Sequence, residues 1–141
     1  TSDDGVLRDA AISCMFEADL LRKELGYWDS VRFGADSELI GRTERVLQGG
    51  FVRLRQLAML CLDAEGSLTN DPVHGVSKVH GISPTRRYYR DQWSEWHQAL
   101  DPAQAYLPFP HIERIFAVPD AAAVPEEHLR IVTSELEQVA K

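Results

Sequence analysis

Apolar and polar positions recur along the chain with strand-like and helix-like periods, and the period predicts each element. Residues 10–16 (Ala-Ala-Ile-Ser-Cys-Met-Phe) form a short apolar run, the length of a buried strand. Glu17 to Leu25 follows as a helix: Phe16, Leu20 and Leu21 give it an apolar stripe, Glu17 and Asp19 suit its first turn, and Gly26 suits the position just past its end. Tyr27-Trp28-Asp29-Ser30 reads as a turn. A second helix begins at Asp36, whose side chain can cap it, buries Leu39, Ile40, Val46 and Leu47, and stops at Gly49-Gly50. Residues 51–62 start with alternation and end as a continuous apolar run. That predicts a strand with a bulge or break near Gln56, or else a helix, since Leu, Met and Ala suit one.

Residues 63–82 form a long polar loop with Gly66, Pro72, Gly75 and Gly81, and loops of that length in small domains are often functional or mobile. Ser83-Pro84 supplies a cap followed by Pro at the first helical position. The helix behind it reaches about Leu100, with Tyr89, Trp93, Trp96 and Leu100 on one stripe. Residues 101–125 hold five of the seven prolines and an alanine run, so they are expected to be extended and to wrap over a surface. Pro125-Glu126-Glu127 then opens a helix over 125–140, in which Leu129, Val132, Leu136 and Val139 recur at three and four. This amphipathic face packs on the body or on a partner. No internal repeat is present, and 1–141 reads as one domain with an extended segment at 101–124 and a terminal helix at 125–140.

Composition agrees with a globular chain. Apolar residues make up 44% and charged residues 26% of 141, more hydrophobic than disorder requires. The formal charge of −7 argues against a dedicated nucleic-acid binder, which usually shows a basic face. Cys14 and Cys61 sit in apolar runs without ligand spacing, and read as buried reduced thiols of a cytoplasmic protein rather than as zinc ligands. No apolar run approaches the ~20 residues of a membrane span, and no signal peptide opens the chain. The acidic start Thr-Ser-Asp-Asp-Gly reads as an internal segment of a longer protein.

The most informative stretch is residues 12–42, where Leu25-Gly26-Tyr27-Trp28-Asp29 precedes Asp36, Glu38, Leu39 and Arg42 at the head of a helix. This stretch resembles the acceptor-side segment of bacterial family-2 glycosyltransferases of the GT-A fold. In that family an apolar strand and short helix end in a Gly-Gly-Phe-Asp-like turn, and a Glu-Asp pair opens the next helix. Asp36 matches the Asp of the pair, while Ala35 stands where the family has Glu. The aromatic helix and Leu107-Pro108-Phe109-Pro110 resemble C-terminal tails of bacterial members less specifically. The resemblance implies an α+β fold, mainly helical with a few short strands, forming part of a GT-A (Rossmann-like) enzyme. It implies transfer of a sugar, with inversion, from a nucleotide-sugar donor to a glycan or lipid-linked acceptor in polysaccharide biosynthesis. A divalent metal, Mg or Mn, is expected for the complete enzyme and none for this part.

Inverting transfer needs a carboxylate to take the proton of the attacking hydroxyl. Through the resemblance Asp36 is the base, helped by nearby Glu38; from spacing alone Asp36 is a cap and Glu38 a solvated first-turn acid. Trp28, Asp29 and Arg42 are the expected acceptor contacts, with Trp28 either stacking on a sugar or packing. His74, His80, Arg86 and Arg87 either close over a diphosphate or belong to a solvated loop and helix start. Arg86 and Arg87 stand at a helix N-terminus, where positive charge is unfavourable, which hints at a bound anion or an acidic partner. Tyr88, Tyr89, Trp93 and Trp96 suit core packing better than sugar stacking. His97, His111 and His128 are isolated and receive no role. The Asp-x-Asp of the donor half is absent, as are GxSxG, P-loop and HExxH patterns, so this chain is expected to be inactive alone. The rival expectation is a non-enzymatic binding or oligomerisation module, including a homodimer that covers an orphaned apolar face.

Overall fold

The computed structural model describes residues 14–54, 66–67, 69–77 and 81–139. Three helices account for most of them: α1 (Ala35–Leu47), α2 (Pro84–Ala99) and α3 (Glu126–Val139). A π-helical segment, Leu20–Leu25, precedes α1, and two short antiparallel strands, β1 (Val76–Ser77) and β2 (Gly81–Ile82), lie before α2. Val76 pairs with Ile82 and Ser77 with Gly81. The fold class is α+β.

Helix α1 buries Glu38, Leu39, Arg42 and Thr43, a face in which two of four residues carry charge. Burying charge is tolerable only when every polar atom finds a partner. Arg42 meets that condition completely. Its Nε donates to Glu38 Oε1 at 2.8 Å and its Nη2 to Glu38 Oε2 at 3.1 Å and to the Tyr27 carbonyl at 2.8 Å. Its Nη1 donates to the carbonyls of Leu25 and of Ala105, the latter at 2.9 Å. A guanidinium has five N–H donors in a rigid fork, and all of them are used. One side chain thereby joins α1, the end of the π-helical segment and the start of the tail.

The tail runs back along the turn that Arg42 holds. Leu107 N–H donates to the Leu25 carbonyl at 3.0 Å, and Tyr27 N–H to the Leu107 carbonyl at 2.9 Å. Further along, Arg32 N–H donates to the Ala122 carbonyl at 2.8 Å, and Val31 pairs with Ala123. Gly26 has φ 72°, and a Cβ there would stand 2.2 Å from the Leu107 carbonyl oxygen, so the close pairing requires glycine. The aromatic stripe of α2 faces this assembly. Tyr89 and Leu100 are buried, Phe116 of the tail stacks on Trp96 at 5.1 Å, and Tyr89 lies 6.1 Å from Phe116. Gly41 lets α1 approach α2, since a Cβ there would meet the Trp93 ring at 2.9 Å.

Several expectations hold and several need correction. Ser83 caps α2, accepting from Arg86 N–H at 3.4 Å, with Pro84 at the first position. The residues after α2 form no α-helix up to α3, with short 3-10 turns at Pro102–Gln104 and Asp120–Ala122 and bends at 109–110, 113 and 115–116. The terminal helix forms as α3. The segment expected as a helix up to Leu25 is π-helical over its last six residues. Asp36 does not cap α1: the cap position is Gly34, at φ 81°, and Asp36 lies inside the first turn. Residues 14–16 of the expected first strand have no regular structure, and neither do 51–54 of the second. The rest of both strands, 10–13 and 55–62, lies outside the described residues, as does Cys61. The loop over 63–82 contains the β1–β2 pair, which alternation did not signal because each strand is two residues long. Among the described residues no helix is long and apolar enough to cross a membrane.

Replacing Arg42 with Met removes its bonds to Glu38 and to the Leu25, Tyr27 and Ala105 carbonyls, and leaves Glu38 with His97 and the Leu25 carbonyl with Leu107 N–H. Arg42→Met is expected to lower stability by about 3–5 kcal/mol. Urea unfolding checks this as a lower midpoint at unchanged slope.

Candidate functional site

Residues nominated from sequence fall into three places. The first is the open side of the α1 start. Phe33, buried just before α1, has two flat groups beside it: the Arg86 guanidinium carbon is 4.7 Å from its ring centre, and the His74 ring is nearly parallel at 6.2 Å. Arg86 Nε donates to the His74 carbonyl. The turn carrying His74 is held by Asp71, whose Oδ1 accepts from Val73 N–H at 2.9 Å and His74 N–H at 2.5 Å. Those backbone bonds, first that of His74 and then that of Val73, keep the Asp71 carboxyl below its usual range. Burial draws the Arg86 pKa down, and the charges of Asp36 and Asp71 oppose that shift. Asp36 and Asp71 therefore both stand within electrostatic reach of Arg86. Asp36 itself is exposed, and so is Arg87. His74 Nδ1 is buried and has no hydrogen-bond partner among the described residues.

His74 and Arg86, distant in sequence, thus meet at Phe33, three residues before Asp36, whose charge acts on Arg86. Chemically the group offers a solvent-facing carboxylate and a half-buried cation, with the His74 Nδ1 enclosed behind them. The unfavourable position of Arg86 in the first turn of α2 is offset by the acids facing it. His80 lies outside the described residues.

The second place is the interior. Glu38 and Arg42 have no exposed surface, so neither shares the open face with Asp36. His97 joins them, its Nε2 lying 3.1 Å from Glu38 Oε1 with Trp93 and Trp96 packed on its ring at 4.9 Å. Their burial follows from the helical period: positions 38 and 42 share the inner face with 39 and 43, whereas 36 does not.

The third place is the turn at residues 27–30. Asp29 is buried beneath the tail. Its Oδ1 accepts from His111 Nδ1 at 2.9 Å and from Arg114 Nη1, and its Oδ2 accepts from the Tyr89 hydroxyl at 2.9 Å. Ser30 completes the lock, its Oγ accepting from His111 N–H and its carbonyl from Arg114 Nη2, both at 3.0 Å. Burial by itself would raise the Asp29 pKa; the His111 bond, the Arg114 charge and the Tyr89 hydroxyl outweigh it and hold the carboxyl below the ordinary value. Burial, with the Asp29 charge beside it, pushes the Tyr89 phenol upward, so it stays a neutral donor. Trp28 sits between Tyr27 and Asp29, both anchored, and is 45% exposed. The backbone that displays it is fixed while the indole remains accessible.

His97, His111 and Arg114 received no role from sequence, yet they complete the buried networks. A turn Asp that folds inward needs a cationic or N–H partner, and that need is visible in the sequence. Nothing local selects residues 111 and 114, more than eighty positions away. Among the described residues no three His, Cys, Asp or Glu side chains are grouped to hold a metal ion.

Because the folded-state pKa of Asp29 is depressed, its stabilising contribution is present above the unfolded value of about 3.9 and is lost as pH falls through the folded value. Asp29→Asn is expected to cost about 3 kcal/mol or more at neutral pH. The gap between wild type and variant should then shrink as the pH is taken below about 4. Urea midpoints measured across that range check both the size and the sign.

In comparisons with known proteins, no family model matches the chain, and no curated protein and no solved structure matches it.

Proposed function

We propose that this chain is the acceptor-side part of an inverting, family-2-like glycosyltransferase of GT-A fold. In this reading it acts in the cytoplasm and moves a sugar from a nucleotide-sugar to a glycan or lipid-linked acceptor during polysaccharide synthesis. The resemblance over residues 12–42 suggests the class. The observation that carries the reading is the position of Asp36: a solvent-facing carboxylate in the first turn of α1, with the Arg86 cation within reach and His74 beside it.

The chemistry divides as follows. The acceptor hydroxyl oxygen attacks the anomeric carbon and forms the new C–O bond. The bond from that carbon to the nucleoside diphosphate breaks, and the electron pair leaves with the diphosphate. Asp36 takes the hydroxyl proton. Arg86, with Arg87 next to it, meets the negative charge that grows on the leaving group. Trp28, displayed from a rigid turn, offers a flat face to an acceptor sugar. Glu38, Arg42 and Asp29 act by holding this arrangement, not by touching the substrate. The donor site belongs to a part of the enzyme that carries Asp-x-Asp, so the chain by itself is inactive.

Asp36→Asn in the complete enzyme is expected to lower turnover at saturating donor by about 10² to 10⁴. Its melting temperature should barely change, because the side chain is exposed. Unchanged turnover would remove Asp36 as the base.

A further inference from the structure

Among the described residues, helix α3 is the one α-helix with no buried residue, and its apolar face is open. Val132, Leu136 and Val139 are 43%, 51% and 85% exposed, and Leu129 is half-buried. At 3.6 residues per turn, Leu129, Val132, Leu136 and Val139 fall on a single stripe. A helix of 14 residues is marginal alone in water and normally owes its stability to packing of such a stripe.

Charge says what covers it. Glu135 borders the stripe on one side, and Glu126 and Glu137 border it on the other. Arg130 is the only Lys or Arg between Glu126 and Val139. Glu135 and Glu137 also stand near the C-terminal end, where the helix dipole disfavours negative charge, and the last turn has no basic residue. Both features are unfavourable in the free helix, and positive charge beside the stripe relieves both. A second copy of α3 fits poorly: it would set acidic flanks against acidic flanks, and two heptads fall short of the three or four that sustain a coiled coil.

We propose that α3 is a docking helix for another protein, one that presents an apolar groove or helix seam rimmed by Lys and Arg, with Val132, Leu136 and Val139 as the anchors. Recognition is of the helix-in-groove kind, read at positions three and four apart, with the basic rim supplying orientation and salt dependence. This inference does not depend on the glycosyltransferase reading.

The test uses the 141-residue chain and a labelled synthetic peptide of repeated heptads with Leu at both seam positions and Lys at both flanking positions. A matched peptide carries Glu in place of Lys. Fluorescence anisotropy should show binding of the Lys peptide, weakened by salt, and none of the Glu peptide. Leu136→Gln should weaken binding by about tenfold or more, and Glu135→Lys with Glu137→Lys should weaken it independently. All these side chains are exposed, so circular dichroism should show each variant folded as wild type. Equal binding of the Lys peptide to wild type and Leu136→Gln would overturn the proposal, as would failure of that peptide to bind. So would sedimentation of wild type as a dimer that Leu136→Gln converts to monomer, because the occupant would then be a second copy.

Discussion

A single buried guanidinium holds three parts of this chain together. Arg42 reaches from α1 to the carbonyls of Leu25, Tyr27 and Ala105 and to both oxygens of Glu38. Those carbonyls mark the end of the π-helical segment, the start of the turn and the start of the tail. Each is a backbone group that needs a donor; the Leu25 carbonyl also accepts from Leu107 N–H, while those of Tyr27 and Ala105 take theirs from Arg42. The fold has only one short strand pair among its described residues, so side chains do work that a sheet does in larger α+β domains. Arginine suits the task because its fork satisfies several acceptors in one plane and it stays charged when buried.

The second network follows from the first. With the turn at residues 25–27 fixed, the tail can lie along it, Leu107 pairing where Gly26 leaves room. That path brings His111 and Arg114 over Asp29 and Phe116 onto Trp96. Buried ion pairs contribute little net stability against an apolar replacement, but breaking one is costly. Their effect here is specificity: the tail has one register, and Trp28 has one backbone conformation. On the far side of the same helix, Asp36 remains open to solvent beside Arg86. The inner face of α1 thus carries the buried network, and its outer face carries the exposed Asp36.

Helices α1, α2 and α3 were legible in the sequence from their period, and α2 also from its cap: Ser83-Pro84 and the Tyr89-Trp93-Trp96 stripe are local signals, and locality is what one sequence carries. The convergence of Asp36 and Arg86 was legible only as separate hints. Asp36 at the head of one helix and Arg86 at the head of another come within electrostatic reach only once the chain is folded. Glu38 and Arg42 were read as acid and binding residue through the resemblance over residues 12–42, which says nothing of their burial. Burial of both depends on Leu25, Tyr27 and Ala105 offering carbonyls, which no pattern of residue types encodes. The same holds for His111 and Asp29. The β1–β2 pair was invisible because two-residue strands have no period.

Amide hydrogen exchange in Arg42→Lys tests the organising role of Arg42 most directly. Lysine keeps the charge but, with three donors on a point ammonium, cannot span carbonyls of the turn and the tail. The Tyr27 and Leu107 amides, which bond across that junction, should lose protection together while amides in the middle of α2 keep theirs. Wild-type exchange rates at Tyr27 and Leu107 in that variant would contradict it.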